Sequence, residues 1–324
     1  MVMAGPLLRV AVINDFLHVF EPATDWSRLA GVATVDFFHD HLDSADKAAV
    51  RLAPYDIVVT ERERTHFDAG LLERLPRLRL LVTTGTHNRY IDFAAAQRLN
   101  ITVCKTEGIL HAAPELAMTL MLALMRRVVI DNDSLRAGGW QTGLGRSLRG
   151  KTLGIVGLGV TGPQMVRLAE AFGMLTVAWS PHLTDERARA AGTRRVPFDE
   201  LLTTADVVSV HMVLADSTRG LIGARELGLM KTDAYLVNTS RGALVDEPAL
   251  IEALRERRIA GAGLDVYATE PLPKEHPLRG LNNVILTPHT GYVTDEQYAL
   301  CFGQAVENIL AFAAGQPVRV MTHT

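Results

Sequence analysis

Lys151–Gly162, KTLGIVGLGVTG, decides how this chain is read. The apolar residues Leu153–Val156 make a short buried strand that runs directly into Gly157-x-Gly159-x-x-Gly162. A helical pattern follows over Gln164–Phe172, and a second strand over Leu175–Trp179. Strand, glycine turn, helix and strand together are the context that a dinucleotide fingerprint requires. Each glycine has its own reason. Gly157 permits the tight turn, Gly159 lets the backbone approach a pyrophosphate, and Gly162 lets the helix pack close to the strand. The N–H groups of the helix start then face the anion. Pro163 is tolerated, because a first-turn N–H has no helical partner anyway. Leu158, Val160 and Thr161 complete the expected cofactor loop. A glycine-rich turn without a ligand is the competing reading, and the βαβ surroundings weigh against it.

Outward from this motif, β-rich runs alternate with amphipathic stretches. Strands are expected at Arg9–Ile13, Ala33–Phe37, Asp56–Thr60, Leu80–Thr83 and Ile101–Cys104, with helical patterns at Phe67–Leu75 and Phe93–Leu99. One long helix is expected from about Pro114 to Val129, then a polar, glycine-rich connector, Gly138–Gly150, which Trp140 is expected to pack. The alternation restarts at Thr152 and continues to about Thr287, and a last helix covers Asp295–Ala314. Buried strands alternating with helices predict an α/β protein with parallel sheets covered on both faces. A length of 324 residues fits two such doubly wound domains.

Composition excludes several classes. The formal net charge is −3 and no long basic run is present, so nucleic acid is not an expected partner. Arg255, Arg257 and Arg258 sit where a helix should end, a place the helix dipole favours for cations. Cys104 and Cys301 have neither metal nor disulfide spacing, which points to a reducing, cytoplasmic setting. Val10–Ile13 reads as a strand rather than a signal peptide, and no apolar run reaches the roughly 18 residues of a membrane span. The histidines show no metal spacing, so no metal is expected; His111, His182, His211 and His276 each have a plain packing or loop reading.

An acidic residue about 20 positions past the glycines normally holds the adenosine ribose and disfavours a 2′-phosphate. Here the second strand ends in Trp179-Ser180-Pro181-His182, with Arg187 downstream. Ser180 takes the acid's place, so the cofactor is NAD or NADP, and NADPH is expected to be accepted.

Ligands of doubly wound sheets bind outside the carboxyl ends of the strands. Ala234–Val237 leads into Asn238-Thr239-Ser240-Arg241-Gly242. Gly261–Val266 carries Asp265, and Glu270 follows. Val284–Leu286 leads into Thr287-Pro288-His289. Singly, these are a surface cation, helix caps and a core histidine. On one edge of a cofactor-binding sheet they form a catalytic set. Reduction of a 2-oxo acid needs a cation for the carboxylate, a proton for the carbonyl oxygen and a hydride. Arg241 offers a planar fork of donors. His289 carries a proton near neutral pH, and Glu270 orients the ring and favours its charged form. Asp265 is expected on the nicotinamide side. The expected reaction is hydride transfer between NAD(P)H and C2 of a small 2-oxo or 2-hydroxy acid.

These residues resemble the D-isomer-specific 2-hydroxyacid dehydrogenase family. The matching pieces are GIVGLGVTG at 154–162, VNTSRGALVDE at 237–247, GLDVYATEPLP at 263–273 and TPHTG at 287–291. The resemblance implies a flavodoxin-like substrate domain, 1–108 plus 293–324, and a Rossmann domain, 109–292. It implies Arg241 as carboxylate anchor, His289 as acid/base, Glu270 as its partner and Asp265 near the nicotinamide. Thr239, His211, Gly291, Ser180 and His182 are the further candidate cofactor contacts. It also implies closure of the first domain over the cleft, and a homodimer built through the nucleotide domain. The family's substrate loop corresponds to Gly85-Thr86-His87-Asn88, where His87 replaces a glycine. Arg62 and Arg64 are candidate substrate contacts, against the alternative of a solvated charge run. A glyoxylate/hydroxypyruvate reductase-like or short phosphoglycerate dehydrogenase-like enzyme is expected.

Two other readings stand beside this one. A formate dehydrogenase-like enzyme would pair the histidine with an amide, which Glu270 opposes. An NAD(H)-sensing corepressor-like protein would keep the same residues, and turnover of glyoxylate or hydroxypyruvate separates it from an enzyme.

Overall fold

The computed structural model describes residues 6–42 and 44–321, so the outer limits expected for the first domain, 1 and 324, lie outside the described residues. The chain divides into two compact units, one of residues up to Ile109 together with those from Val293 on, the other Leu110–Tyr292.

The first unit is built on β1 (Leu8–Val12), β2 (Ala33–Phe37), β3 (Ile57–Thr60), β4 (Leu80–Thr83) and β5 (Thr102–Lys105). They form one parallel sheet in the order β2-β1-β3-β4-β5, the flavodoxin-like winding. β3 (IVVT) and β4 (LLVT) are buried at every position, as strands covered on both faces must be. The covering helices start at side-chain caps: Ser44 accepts from Lys47 N–H, Asp68 from Leu71 N–H and Asp92 from Ala95 N–H.

The last helix, Asp295–Ala313, is capped by Thr294 and belongs to this unit. Phe302 packs 4.4 Å from Phe20, centroid to centroid. The polar side of the helix closes the exit of β5. Asn308 Nδ2 donates to Lys105 O at 3.0 Å, Gln304 Oε1 accepts from Glu107 N–H at 2.7 Å, and Gln297 Oε1 accepts from Ile109 N–H at 2.7 Å.

The second unit carries β6 (Thr152–Val156), β7 (Leu175–Trp179), β8 (Arg194–Arg195), β9 (Val207–Val210), β10 (Tyr235–Asn238), β11 (Gly261–Leu264) and β12 (Val284–Leu286). The sheet is parallel, in the order β12-β11-β10-β9-β6-β7-β8. Counted from β6, this is the 3-2-1-4-5-6 winding of dinucleotide-binding sheets with one further strand. Strand order reverses between β6 and β9, and the crevice at their carboxyl ends is where such sheets bind ligands.

Three expectations need correction. The single helix expected over Pro114–Val129 is two helices, Ala112–Met125 and Val128–Arg136, because Arg127 takes a left-handed conformation at φ 57°. Val128, Val129 and Ile130 continue the apolar pattern but are surface residues, which is why periodicity runs through the break. The helix expected over Phe67–Leu75 is only Ala69–Leu72. Trp140 does not pack the connector: the residue is 74% exposed.

Candidate active site

The turn after β6 has the form a pyrophosphate needs. Gly157 sits at φ +104°, and a Cβ there would lie 2.5 Å from His211 O. A Cβ on Gly162 would lie 2.6 Å from Gly157 O, so both glycines are demanded by backbone packing. Gly159 is different: a Cβ there would meet nothing within 4 Å. Its bare backbone faces open space. Thr161, before the helix Gly162–Ala171, makes no side-chain cap; Pro163 has no N–H and Gln164 N–H turns back to Thr161 O at 3.0 Å, so the helix start offers an anion the N–H of Gly162. Thr239, just past β10, has a buried hydroxyl with no hydrogen-bond partner. A bare turn, an uncapped helix start and an orphaned hydroxyl fit a nicotinamide dinucleotide.

At the end of β7, Ser180 is half-buried and His182 exposed. The Arg187 guanidinium reaches back to Leu158 O and His182 O, both at 3.4 Å, and so stands beside the glycine turn. His211 Nε2 lies 2.8 Å from Ser209 Oγ, and burial pushes its imidazole down to about 4, which keeps it neutral.

Three strand ends carry the remaining groups. After β10, Asn238 ties the turn: its Oδ1 accepts from Ser240 N–H at 3.0 Å and its Nδ2 donates to Arg241 O at 3.0 Å. After β11, Asp265 is completely buried, and it accepts from Thr287 Oγ1 at 2.6 Å and from the N–H groups of Thr290 and Gly291 at 2.8 Å. Its carboxylate thus organises the loop that follows β12. That loop holds His289 at φ +54°, a conformation that side chains with a Cβ rarely adopt and that surrounding bonds must enforce.

His289 Nδ1 lies 2.6 Å from Glu270 Oε2, and Glu270 Oε1 accepts from Tyr267 N–H at 2.9 Å. Burial raises the Glu270 carboxyl. The bond to His289, the charge of that ring, the Tyr267 N–H and the Arg241 guanidinium outweigh it and hold the group below its ordinary value. The charge of Arg241 therefore reaches the Glu270–His289 pair. With Nδ1 engaged, Nε2 is the ring atom left to exchange a proton with a substrate.

In the first unit, Gly85 turns at φ +83°, and a Cβ there would lie 3.5 Å from the Arg62 guanidinium. Arg62 itself is fixed by its N–H to Thr84 Oγ1 at 3.1 Å. Thr86 and His87 are exposed, and Thr86 Oγ1 lies 2.8 Å from His87 Nδ1. Arg64 goes elsewhere: it pairs with the buried Glu61 at 2.6 Å, donates to Asn14 O at 3.1 Å and lies over the Phe16 ring. The Arg62–Thr65 stretch is a short 3-10 turn that ends in a buried threonine, not a solvated charge run.

Sequence reasoning passed over Asn238 and the hydroxyl of Thr287. Asn238 left a signal, an amide directly after the apolar run Ala234–Val237, and the structure buries it. Among the described residues no group of three or more His, Cys, Asp or Glu side chains could hold a metal, and no helix is long and apolar enough to cross a membrane.

Residues 118–291 match the family model described as the D-isomer specific 2-hydroxyacid dehydrogenase, NAD binding domain. The chain is 42% identical over 259 residues to the glyoxylate reductase of Aeropyrum pernix, covering 77% of each chain. Among solved structures it is similar to a phosphoglycerate oxidoreductase from Vibrio cholerae, with a TM-score of 0.89, 35% identity, and coverage of 95% of this chain and 100% of the other. It is also similar to an acyclic imino acid reductase in complex with NADPH and D-Arg, with a TM-score of 0.77, 28% identity, and coverage of 97% and 100%. Glycine turn, strand-end residues and relatives agree: this chain belongs to the D-isomer-specific 2-hydroxyacid dehydrogenases, enzymes that move a hydride between NAD(P)H and C2 of a 2-oxo acid.

Proposed function

We propose that Arg241, Glu270 and His289 are the catalytic groups of a reductase for a small 2-oxo acid of the glyoxylate or hydroxypyruvate kind, giving the D-2-hydroxy acid. The supporting observation is the 2.6 Å contact between His289 Nδ1 and Glu270 Oε2, on a loop that Asp265 holds in place. Arg241 binds the substrate carboxylate through its two-pronged guanidinium. His289 Nε2 gives its proton to the carbonyl oxygen as the alkoxide develops. Glu270 holds the ring by Nδ1 and stabilises its charged form until the proton leaves. A bound nicotinamide supplies the hydride to C2.

Gly157–Gly162, Thr239, Ser180, His182, His211, Asp265 and Gly291 make up the proposed cofactor site. Arg187, beside the turn and facing no carboxylate at Ser180, favours acceptance of the 2′-phosphate of NADPH. Gly85, Thr86, His87 and Arg62 are the proposed substrate contacts of the first unit. Arg64 is the weaker candidate, since Glu61 already engages it. A cytoplasmic homodimer formed through the nucleotide-binding unit completes the reading. Both cysteines are free and buried, in keeping with a reducing compartment.

The decisive experiment is His289→Asn, assayed with glyoxylate and hydroxypyruvate against NADH and NADPH. Turnover should fall by at least about a hundredfold while cofactor still binds. A near-normal rate would refute the role given to His289.

A further inference from the structure

Tyr267 is buried beside the catalytic candidates and has no role in the chemistry above. Its contacts single it out. The backbone N–H donates to Glu270 Oε1 at 2.9 Å. The hydroxyl lies 2.8 Å from Thr287 O and 3.0 Å from Leu264 O. Thr287 O is also the acceptor of the His289 N–H at 3.0 Å, so the hydroxyl bonds the very carbonyl on which the His289 turn closes. The backbone carbonyl carbon of Tyr267 lies where a Cβ on Gly242 would come within 2.1 Å, so Gly242, next to Arg241, is pressed directly against it. One residue thus touches the support of all three catalytic candidates.

We infer that Tyr267 is the positioning residue that sets Glu270, His289 and the Arg241–Gly242 turn relative to one another, its hydroxyl fixing the left-handed turn that aims the imidazole. The inference rests on the catalytic reading of Glu270 and His289 proposed above.

A plain packing role predicts something else. A core ring needs only its carbon atoms, and phenylalanine would serve as well. The hydroxyl carries a single proton, so the shorter contact, to Thr287 O, is its main bond. Burial, with the charges of Asp265 and Glu270 nearby, raises the phenol and keeps that proton in place. Neither carbonyl depends on the hydroxyl for satisfaction. Leu264 O also accepts from Thr287 N–H, and Thr287 O from His289 N–H. Removing the hydroxyl therefore leaves no orphaned group and little reason to unfold. What it removes is the restraint on the loop's angle.

The test is Tyr267→Phe in the full-length protein, beside His289→Asn and Glu270→Gln. Tyr267→Phe should lower kcat by about tenfold, since misplacing a reacting group by a fraction of an ångström has costs of this order. The dissociation constant for NADPH, read by its fluorescence, should stay within about twofold. The limb of the pH–rate profile should move in the direction seen for Glu270→Gln. The double variant Tyr267→Phe with Glu270→Gln should lose less than the product of the single losses, because both act on one imidazole. Site-specific 3-fluorotyrosine at position 267 keeps the hydroxyl and should keep at least about half of kcat. It serves as the folded comparison if the phenylalanine variant does not accumulate, and its inactivity in a folded enzyme overturns the inference. Wild-type kcat and pH profile in Tyr267→Phe also overturn it, as does loss of cofactor binding in parallel with kcat. If His289→Asn abolishes turnover while Tyr267→Phe is silent, only this inference fails. If His289→Asn is itself active, the catalytic reading beneath it fails.

Discussion

Replacing Glu270 by glutamine keeps the side chain's shape and removes its charge, and the effect on the pH–rate profile follows from the geometry. Charges about 4 Å apart interact by about 1 kcal/mol in water and about 4 kcal/mol at an effective dielectric of about 20. The side chains of His289 and Glu270 are 31% and 34% exposed, so the value falls toward the lower limit. About 1.4 kcal/mol corresponds to one pH unit. Hydrogen bonding pushes the same way. Glu270 serves two donors, Tyr267 N–H through Oε1 and His289 Nδ1 through Oε2. A glutamine has one oxygen; with that on Tyr267, its NH2 faces Nδ1 and asks for an unprotonated ring. Carbonyl reduction needs the proton on His289, so its rate falls as pH rises. In Glu270→Gln that limb should move to lower pH, because the ring loses its negative neighbour. The assay is the initial rate of glyoxylate reduction, followed by consumption of NADPH across about pH 5 to 9. A limb that stays in place, or moves to higher pH, would refute the pairing. Stability gives an independent reading. A carboxyl held below its ordinary 4.5 contributes stability in full above that value and loses it as pH falls through its lower folded value. The melting-temperature gap between wild type and Glu270→Gln should therefore close as pH drops below about 4.5.

Four further outcomes follow from named contacts. Gly157→Ala should destabilise the protein, since its Cβ meets His211 O at 2.5 Å, while Gly159→Ala should leave the melting temperature unchanged and weaken cofactor binding; thermal melts with and without NADPH separate the two. Asp265→Ala strands the Thr287 hydroxyl and the N–H groups of Thr290 and Gly291, at a cost of roughly 3 kcal/mol or more in denaturant unfolding, with loss of turnover. Arg241→Lys exchanges a planar fork for a point charge, and kcat/KM for glyoxylate should fall by at least about tenfold. Arg187→Ala should raise KM for NADPH and spare KM for NADH; equal effects on both would remove Arg187 from the 2′-phosphate.

Legibility followed the physics of burial. Parallel strands buried on both faces are continuous apolar runs, so β3 and β4 stood out within a residue of their ends. Gly157 and Gly162 were readable because steric needs restrict those two positions to one residue type. The strand-end positions of Arg241, Glu270 and His289 were readable as one edge of one sheet, since parallel strands expose all their carboxyl ends together. Direction was not readable. The buried carboxylate of Asp265 bonds the loop after β12, and nothing in a one-dimensional pattern says which way a carboxylate turns. The two arginines at 62 and 64 look alike in sequence, and nothing in it signals that Arg64 pairs with the buried Glu61 and donates to Asn14 O. Arg127 broke a helix through a left-handed backbone that arginine does not signal.

The hydrogen bonds from Gln297, Gln304 and Asn308 to the exit of β5 also bear on how the protein is made. The second unit is one continuous stretch, Leu110–Tyr292, and holds all the strands it needs as soon as that stretch is synthesised. The first unit starts to emerge earlier, yet the side chains that satisfy Lys105, Glu107 and Ile109 lie 203, 197 and 188 residues further on. Until the ribosome delivers them, the sheet β2-β1-β3-β4-β5 has an open flank. Of the two units, the one whose synthesis starts earlier is the one completed later.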